Sequence, residues 1–242
     1  MVAILGTKMS ANVGFDGKYT IDNIPVGIYA VQSKMMGYTL TTITGVKVLP
    51  DSTTDLNTKL KVYPTIAKPN IYLYPATMET LTVQINPTGK VTTSIPEYNT
   101  GWNVVVAPGG RINDTYDFLF YEATVDYNFT LDAGWVLQSS DFDRRMNEIL
   151  VNIGLNDKER ADFMDYWPKR MDWKKKYCVA YYLKREEMDK AAPLTISKTP
   201  ESLLRLFFKF VPTDTLVTVP EPKIEKFQRI GFSVVEWGGI LD

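Results

Sequence analysis

Between Gly14 and Leu60 the chain is cut into short alternating runs by residues that bend it, a spacing that leaves room for strands but not for helices. Gly14-Phe15-Asp16-Gly17 places an Asp-Gly pair where a tight hairpin turn needs a positive φ, and the alternating run Lys18–Ile21 follows. Asn23-Ile24-Pro25-Val26-Gly27 is a second turn. It leads into Ile28–Lys34, where Ile28, Ala30 and Gln32 point one way and Tyr29, Val31 and Ser33 the other. After Gly37-Tyr38, the run Leu40–Leu49 is broken by Gly45, and the polar turn Pro50–Asp55 leads to a closing strand, Asp55–Leu60. The pattern predicts four strands.

The runs Asp-Gly-Lys-Tyr-Thr-Ile, Asn-Ile-Pro-Val-Gly-Ile-Tyr, Gly-Tyr, Gly-Val-Lys-Val and Ser-Thr-Thr-Asp-Leu-Asn in this segment resemble the carboxypeptidase regulatory-like domain. That family consists of small prealbumin-like β-sandwiches, also grouped with carbohydrate-binding-like folds. The resemblance implies an accessory part of a secreted or surface bacterial protein, hence an extracytoplasmic location, and some members of the wider fold bind sugar. Such modules usually open with one more strand and a Gly/Pro turn ahead of the segment matching Val2–Gly6, so the expectation is a sheet lacking its first strand. A strand edge would then be open to another chain, or covered by an upstream segment. Tyr19, Tyr29 and Tyr38 fall where strand packing explains them.

With 242 residues and 45% hydrophobic content the chain can bury real cores, and its length suits two domains. Pro64 and Pro69 mark a stiff linker over 63–69, which separates a β-sandwich over 1–62 from a second domain over 70–242. The 27 basic and 28 acidic residues leave a net charge of -1, so the electrostatic drive for nucleic-acid binding is missing. The densest basic cluster, Lys174-Lys175-Lys176, reads as a solvated strand entrance. No apolar run reaches the roughly 20 residues that span a bilayer, and Met1–Gly6 is too short for a secretory core.

Histidine is absent, which removes Ser-His-Asp and Cys-His catalysis and histidine-bound zinc. Cys178 is the single cysteine, in the apolar run Tyr177–Tyr182, so it reads as a buried, inert thiol. There is no phosphate-binding loop, and neither a metal nor a cofactor is expected.

The second domain reads as α+β. Strands are expected near Thr80–Ile85, Val91–Ile95, Trp102–Ala107, Asp117–Ala123 and Trp135–Gln138, forming an antiparallel sheet. The apolar period then changes from two to 3.6. Phe142, Met146, Ile149, Leu150 and Ile153 form one helical stripe, with Ser140 as N-cap and Gly154 past its end. Asn156 and Glu159 make a capping box for a second helix carrying Phe163, Met164 and Trp167 and ended by Pro168. This helical hairpin packs on the sheet, and strands return at Tyr177–Leu183, Leu203–Val211 and Gly231–Gly239. The chain as a whole is mainly β, an N-terminal β-sandwich followed by this sheet and hairpin.

The runs Lys68–Pro75, Tyr98–Trp102, Leu119–Glu122, Asp165–Trp167 and Val234–Gly239 resemble an uncharacterised bacterial family with a Lys-Pro-x-Ile-Tyr-Leu-Tyr-Pro start and a Glu-Trp-Gly-Gly end. The resemblance covers Lys68 to the C-terminus and implies nothing chemical.

Glu122 and Glu236 are the candidate catalytic residues, because each shares a strand face with apolar neighbours and must be paired or perturbed there. Converging within roughly 5–10 Å, they would match the acid/base carboxylates of glycoside hydrolysis, with Trp102, Trp135 or Trp237 as stacking faces. Arg205 is a further candidate ligand contact; alternatively it, or a lysine, simply pairs with Glu122. Asp162 and Asp165 on the second helix, and Asp141 and Asp143 on the first, are read as structural.

Three functions remain open. The leading one is a non-catalytic accessory module, acting as a spacer, adhesion or binding unit toward a glycan or a cell-surface protein. A carbohydrate-binding module would show an accessible row of aromatics among Trp102, Trp135, Trp173 and Trp237. A glycan hydrolase would bring Glu122 and Glu236 together.

Overall fold

The structure, a computed structural model, describes residues 1–241 and divides the chain into two compact units. One comprises Met1–Tyr63 with Asp126–Asn128, the other Pro64–Val125 with the residues from Phe129 onward.

The first unit is built on an antiparallel sheet of β1 (Val2–Ile4), β2 (Ser10–Ala11), β3 (Gly27–Ser33) and β4 (Thr41–Val48), in the order β2-β1-β3-β4. Val2, Ile4 and Val31 are its buried core, and Tyr19, Ile21, Ile24, Tyr29, Val46 and Leu56 pack against them. The alternation read in Lys18–Ile21 and Asp55–Leu60 does aim apolar side chains inward, but neither segment is a strand. Local bonds take over the backbone instead: the Asp16 carboxylate accepts from Lys18 N–H at 3.1 Å, and Gly14 N–H donates to Lys18 O at 2.9 Å. Tyr19 then ties the two segments together through a 2.8 Å bond from its hydroxyl to Leu56 O. The layer facing the sheet is therefore irregular chain.

The second unit has three layers. Its central sheet has seven strands in the order β10-β11-β13-β14-β5-β9-β7. These are β5 (Thr65–Tyr74), β7 (Lys90–Ile95), β9 (Leu119–Thr124), β10 (Gly134–Gln138), β11 (Tyr177–Leu183), β13 (Ser202–Thr213) and β14 (Ser233–Leu241). Helices α1 (Phe142–Ile153) and α2 (Asp157–Tyr166) cover one face. A three-stranded sheet of β6 (Glu79–Ile85), β8 (Trp102–Val106) and β12 (Leu194–Ile196) completes the strands. Its Trp102 ring contacts Tyr121 of β9, on the opposite face of the central sheet, at 6.4 Å between centroids.

Alternation along β13 shows how one strand serves two layers. Leu204, Leu206, Phe208 and Phe210 join the helix-side core, whereas Arg205 and Phe207 turn to the other side. On the helix side, Phe163 of α2 meets Phe208 edge-on at 5.7 Å and Trp237 at 5.2 Å. The stripe Phe142, Met146, Ile149, Leu150 and Ile153 is buried, Gly154 caps α1 at φ +109°, and the Asn156–Glu159 capping box opens α2.

Four details depart from the sequence reading. Ser140 sits in a 3₁₀ turn and α1 takes Asp141 as its N-cap, with no side-chain cap bond. A third helix, α3 (Arg185–Ala191), is present where none was expected; only Met188 and Ala191 of its residues are buried, too few to print a period. Thr65–Pro69, read as linker, is the first half of β5, a strand near the sheet's centre. Pro69 is tolerated there because the ladders on both sides slip around it, between Ile66 and Asn70 toward β9 and between Trp237 and Gly239 toward β14. Finally, the otherwise antiparallel sheet contains one parallel pair, β13 with β14. A parallel pair needs a long crossover, and Asp214–Phe232 supplies it without a helix or strand of its own.

Candidate functional site

Glu122 and Glu236 do not converge. Glu236 faces the β8 side with Tyr121, its hydrogen-bond partner, and Glu122 follows Tyr121 on β9, so it points to the opposite, helix-covered face. Glu236 is fully buried and fully engaged. Arg205 Nε donates to its Oε2 at 2.5 Å and Tyr121 Oη to its Oε1 at 2.7 Å. Arg205 thus pairs with Glu236, not with Glu122. The remaining guanidinium donors go to Asp189 Oδ1 at 2.7 Å and Ala192 O at 2.8 Å, fastening both α3 and the residue after it to the sheet. Beside a carboxylate in a dry site, the Tyr121 hydroxyl is pushed well above its ordinary range, by burial first and by Glu236 second. Arg205 is likewise out of reach of a solvent-borne ligand, with a side chain of zero exposure.

Three of the tryptophans considered for stacking are also interior. Trp102 and Trp237 are 2% and 0% exposed, and Trp135 is 8% exposed against Phe208. Trp102 donates its Nε1–H to Pro96 O at 2.8 Å and meets Tyr98 edge-on at 4.7 Å. They form core, not a row of platforms.

Trp173 differs, at 42% exposure. One edge is fixed: its Nε1–H donates to Pro168 O at 2.8 Å, and its ring meets Phe142 at 5.1 Å. It borders an open depression of about 590 Å³ lined also by Gln138, Ser140, Lys174, Lys176 and Tyr177. Lys175, on the same rim, is committed to Asp214 at 2.7 Å. The arrangement offers an aromatic surface beside ammonium and hydroxyl donors.

In the first unit, a groove of about 1110 Å³ runs between the sheet and the irregular segments, past Tyr19, Tyr29 and Val31. The hydroxyls of Tyr19 and Tyr29 are spent on Leu56 O and Pro25 O. Both rings therefore serve packing, as their position in the alternation suggested.

Two clusters go beyond the sequence reading, the first by adding Tyr74 and Arg229 to the expected capping box. At the start of α2, the fully buried Glu159 accepts from Tyr74 Oη at 2.8 Å, Asn156 N–H at 2.9 Å and Arg229 Nη2 at 2.6 Å. Arg229 belongs to the β13–β14 crossover, and Phe227 N–H from the same segment donates to Ile153 O at 2.7 Å. The second cluster surrounds Lys68, in the bulge of β5. Its Nζ lies 4.5 Å from the ring centroid of Phe120, 5.0 Å from Phe118 and 5.8 Å from Tyr166. Burial lowers its ammonium below the ordinary lysine value, although Asp162, Glu122 and Asp165 pull the other way. A lysine immediately before a proline, within an apolar run, was the only sequence trace of it.

No protein-family model, no curated protein and no solved structure matches the chain.

Proposed function

We propose that the chain is a non-catalytic binding module of a bacterial surface or secreted protein, in which the second unit carries the ligand site and the first acts as an accessory spacer. The separation of Glu122 and Glu236 onto opposite sheet faces carries this reading, because it removes the carboxylate pair that the sequence offered for glycan hydrolysis. The resemblance of Gly14–Leu60 to carboxypeptidase regulatory-like domains supports an accessory role outside the cytoplasm.

The binding face is the depression at Trp173. An exposed indole next to Lys174, Lys176 and Ser140 suits a sugar ring bearing a negative group, the ring lying on the aromatic surface and the anion meeting the ammonium groups. The test is a glycan and cell-wall polymer array probed with the full chain and followed by tryptophan fluorescence titration. A saturable acidic-glycan hit that is lost in Trp173→Ala and weakened by salt supports the reading. Silence across the array, or a hit that Trp173→Ala keeps, overturns it in favour of a protein-binding or purely spacing role.

A further inference from the structure

Two segments of the first unit arrange their side chains as strands do, yet belong to no ladder. Tyr19 and Ile21 turn inward between the exposed Lys18, Thr20 and Asp22. In the same way Leu56, Thr58 and Leu60 turn inward between the exposed Asp55, Asn57 and Lys59. Among the described residues, however, no hydrogen bond reaches the main chain of 19–22 or the main chain of 57–60. Nor do the two segments pair with each other. A whole tyrosine side chain lies between them, Tyr19 Oη reaching Leu56 O at 2.8 Å, whereas paired backbones stand ~4.8 Å apart. Unpaired main-chain donors and acceptors in such a row are a template for a further strand.

The groove of about 1110 Å³ runs along both segments and is lined from the sheet by Ile4, Val31 and Val46. Apolar surface continues to its mouth, where Val26 and Leu49 are 62% and 60% exposed. Its charge is one-sided. Asp22, Asp51 and Asp55 line it, and the single cation there, Lys18, lies 3.9 Å from Asp16. Among the described residues no ion pair or side-chain hydrogen bond engages those three carboxylates.

Unpaired backbone, an apolar floor and a free acidic rim call for one kind of occupant. We propose that the groove binds an extended, basic polypeptide segment of another protein. The segment pairs its backbone with 19–22 and 57–60, lays alternate apolar side chains on Val31 and Val46, and sets lysines or arginines against Asp22, Asp51 and Asp55. Main-chain pairing supplies affinity, while the alternate side chains and the acidic rim supply selectivity. This site is independent of the depression at Trp173 and gives the first unit a recognition role in addition to spacing.

The test selects a phage-displayed library of random peptides, about 12 residues long to cover both segments, on the immobilised full chain. Enriched peptides are then synthesised and followed by fluorescence anisotropy and by amide hydrogen exchange. They are expected to alternate apolar with polar residues and to carry Lys or Arg. Bound peptide should slow exchange within 19–22 and 57–60. The double variant Asp51→Asn/Asp55→Asn, on exposed positions, should weaken binding about ten-fold while leaving the circular dichroism of the chain unchanged. Trp173→Ala should not affect it, which separates this site from the one on the second unit. A library that yields no enriched peptide overturns the proposal, as do enriched peptides that leave exchange in both segments unchanged. Dimerisation of the chain in analytical ultracentrifugation, with the same amides protected, also overturns it, because the occupant is then a second copy.

Discussion

Arg205 Nε and Glu236 Oε2 meet at 2.5 Å across the parallel strands β13 and β14, with both side chains shut off from solvent. Every charge-bearing atom of the pair has a partner, since Tyr121, Asp189 and the Ala192 carbonyl take the remaining positions. A buried pair of this kind adds little beyond an apolar pair of the same volume, but losing one member is severe. Glu236→Gln is expected to lower unfolding free energy by about 3 kcal/mol, because it leaves the buried guanidinium with only the half-exposed carboxylate of Asp189 as counter-charge. The double variant Arg205→Met/Glu236→Leu should recover most of that loss. Urea titration of the three proteins decides it, and a double variant no better than Glu236→Gln would contradict this account.

Glu159 joins the capping box of α2 to the crossover, through Asn156 and Arg229. Glu159→Ala should cost about 2 kcal/mol, roughly 1 from the cap and 1 from the hydrogen bond with Tyr74. It should also release Asp214–Phe232, so limited proteolysis would cut there at protease levels the wild type resists. Equal cleavage rates would mean that Arg229 does not hold the segment.

Gly239 and Gly45 make a contrasting pair. A Cβ at Gly239 would stand 2.8 Å from two ring atoms of Trp167 and 2.9 Å from Phe208 O, whereas one at Gly45 meets nothing within 4 Å but inherits a φ of +75°. Gly239→Ala should therefore cost about 1–3 kcal/mol through overpacking and alter the near-ultraviolet circular dichroism of Trp167. Gly45→Ala should cost about 1 kcal/mol through backbone strain alone and leave that spectrum unchanged.

Burial pushes the Cys178 thiol from 9.0 up to about 12. A group whose value is raised by folding contributes stability that is complete below its unfolded value and is lost as pH climbs toward the folded one. By pH 10.5 the wild type should have lost about 2 kcal/mol that Cys178→Val keeps, at 1.36 kcal/mol per unit. Thermal melts of both proteins from pH 8 to 10.5 provide the comparison, in which the tyrosine contributions cancel. Parallel curves would contradict a thiol this deeply desolvated.

Much of the second unit was legible because its signals are local. The stripe from Phe142 to Ile153, Gly154, and the Asn156–Glu159 box each state their structure within one or two turns of helix. The first unit was harder to read. Alternation in Lys18–Ile21 reports which side chains go inward, and Tyr19 and Ile21 do, but a ladder also needs a partner in register, which alternation cannot supply. Pro64 and Pro69 suggested a linker because proline usually avoids sheet interiors; the bulge that admits Pro69 depends on β9 and β14, far along the chain. The candidate site failed for a related reason. Glu122 and Glu236 lie on strands separated by β5, and which face each takes is fixed by three strands together. Trp173 was among the aromatics considered, yet only packing singles it out from Trp102, Trp135 and Trp237.

The place of β14 has a consequence for how the second unit comes into being. It is the last of these strands in sequence, yet it lies between β13 and β5. Until Ser233–Leu241 is available, β10, β11 and β13 form one half-sheet and β5, β9 and β7 another, with no strand to join them. Emerging from the ribosome, the unit must therefore wait with two unpaired inner edges exposed. Closure comes late and all at once, when a single segment slots in with its parallel partner on one side and its antiparallel partner on the other.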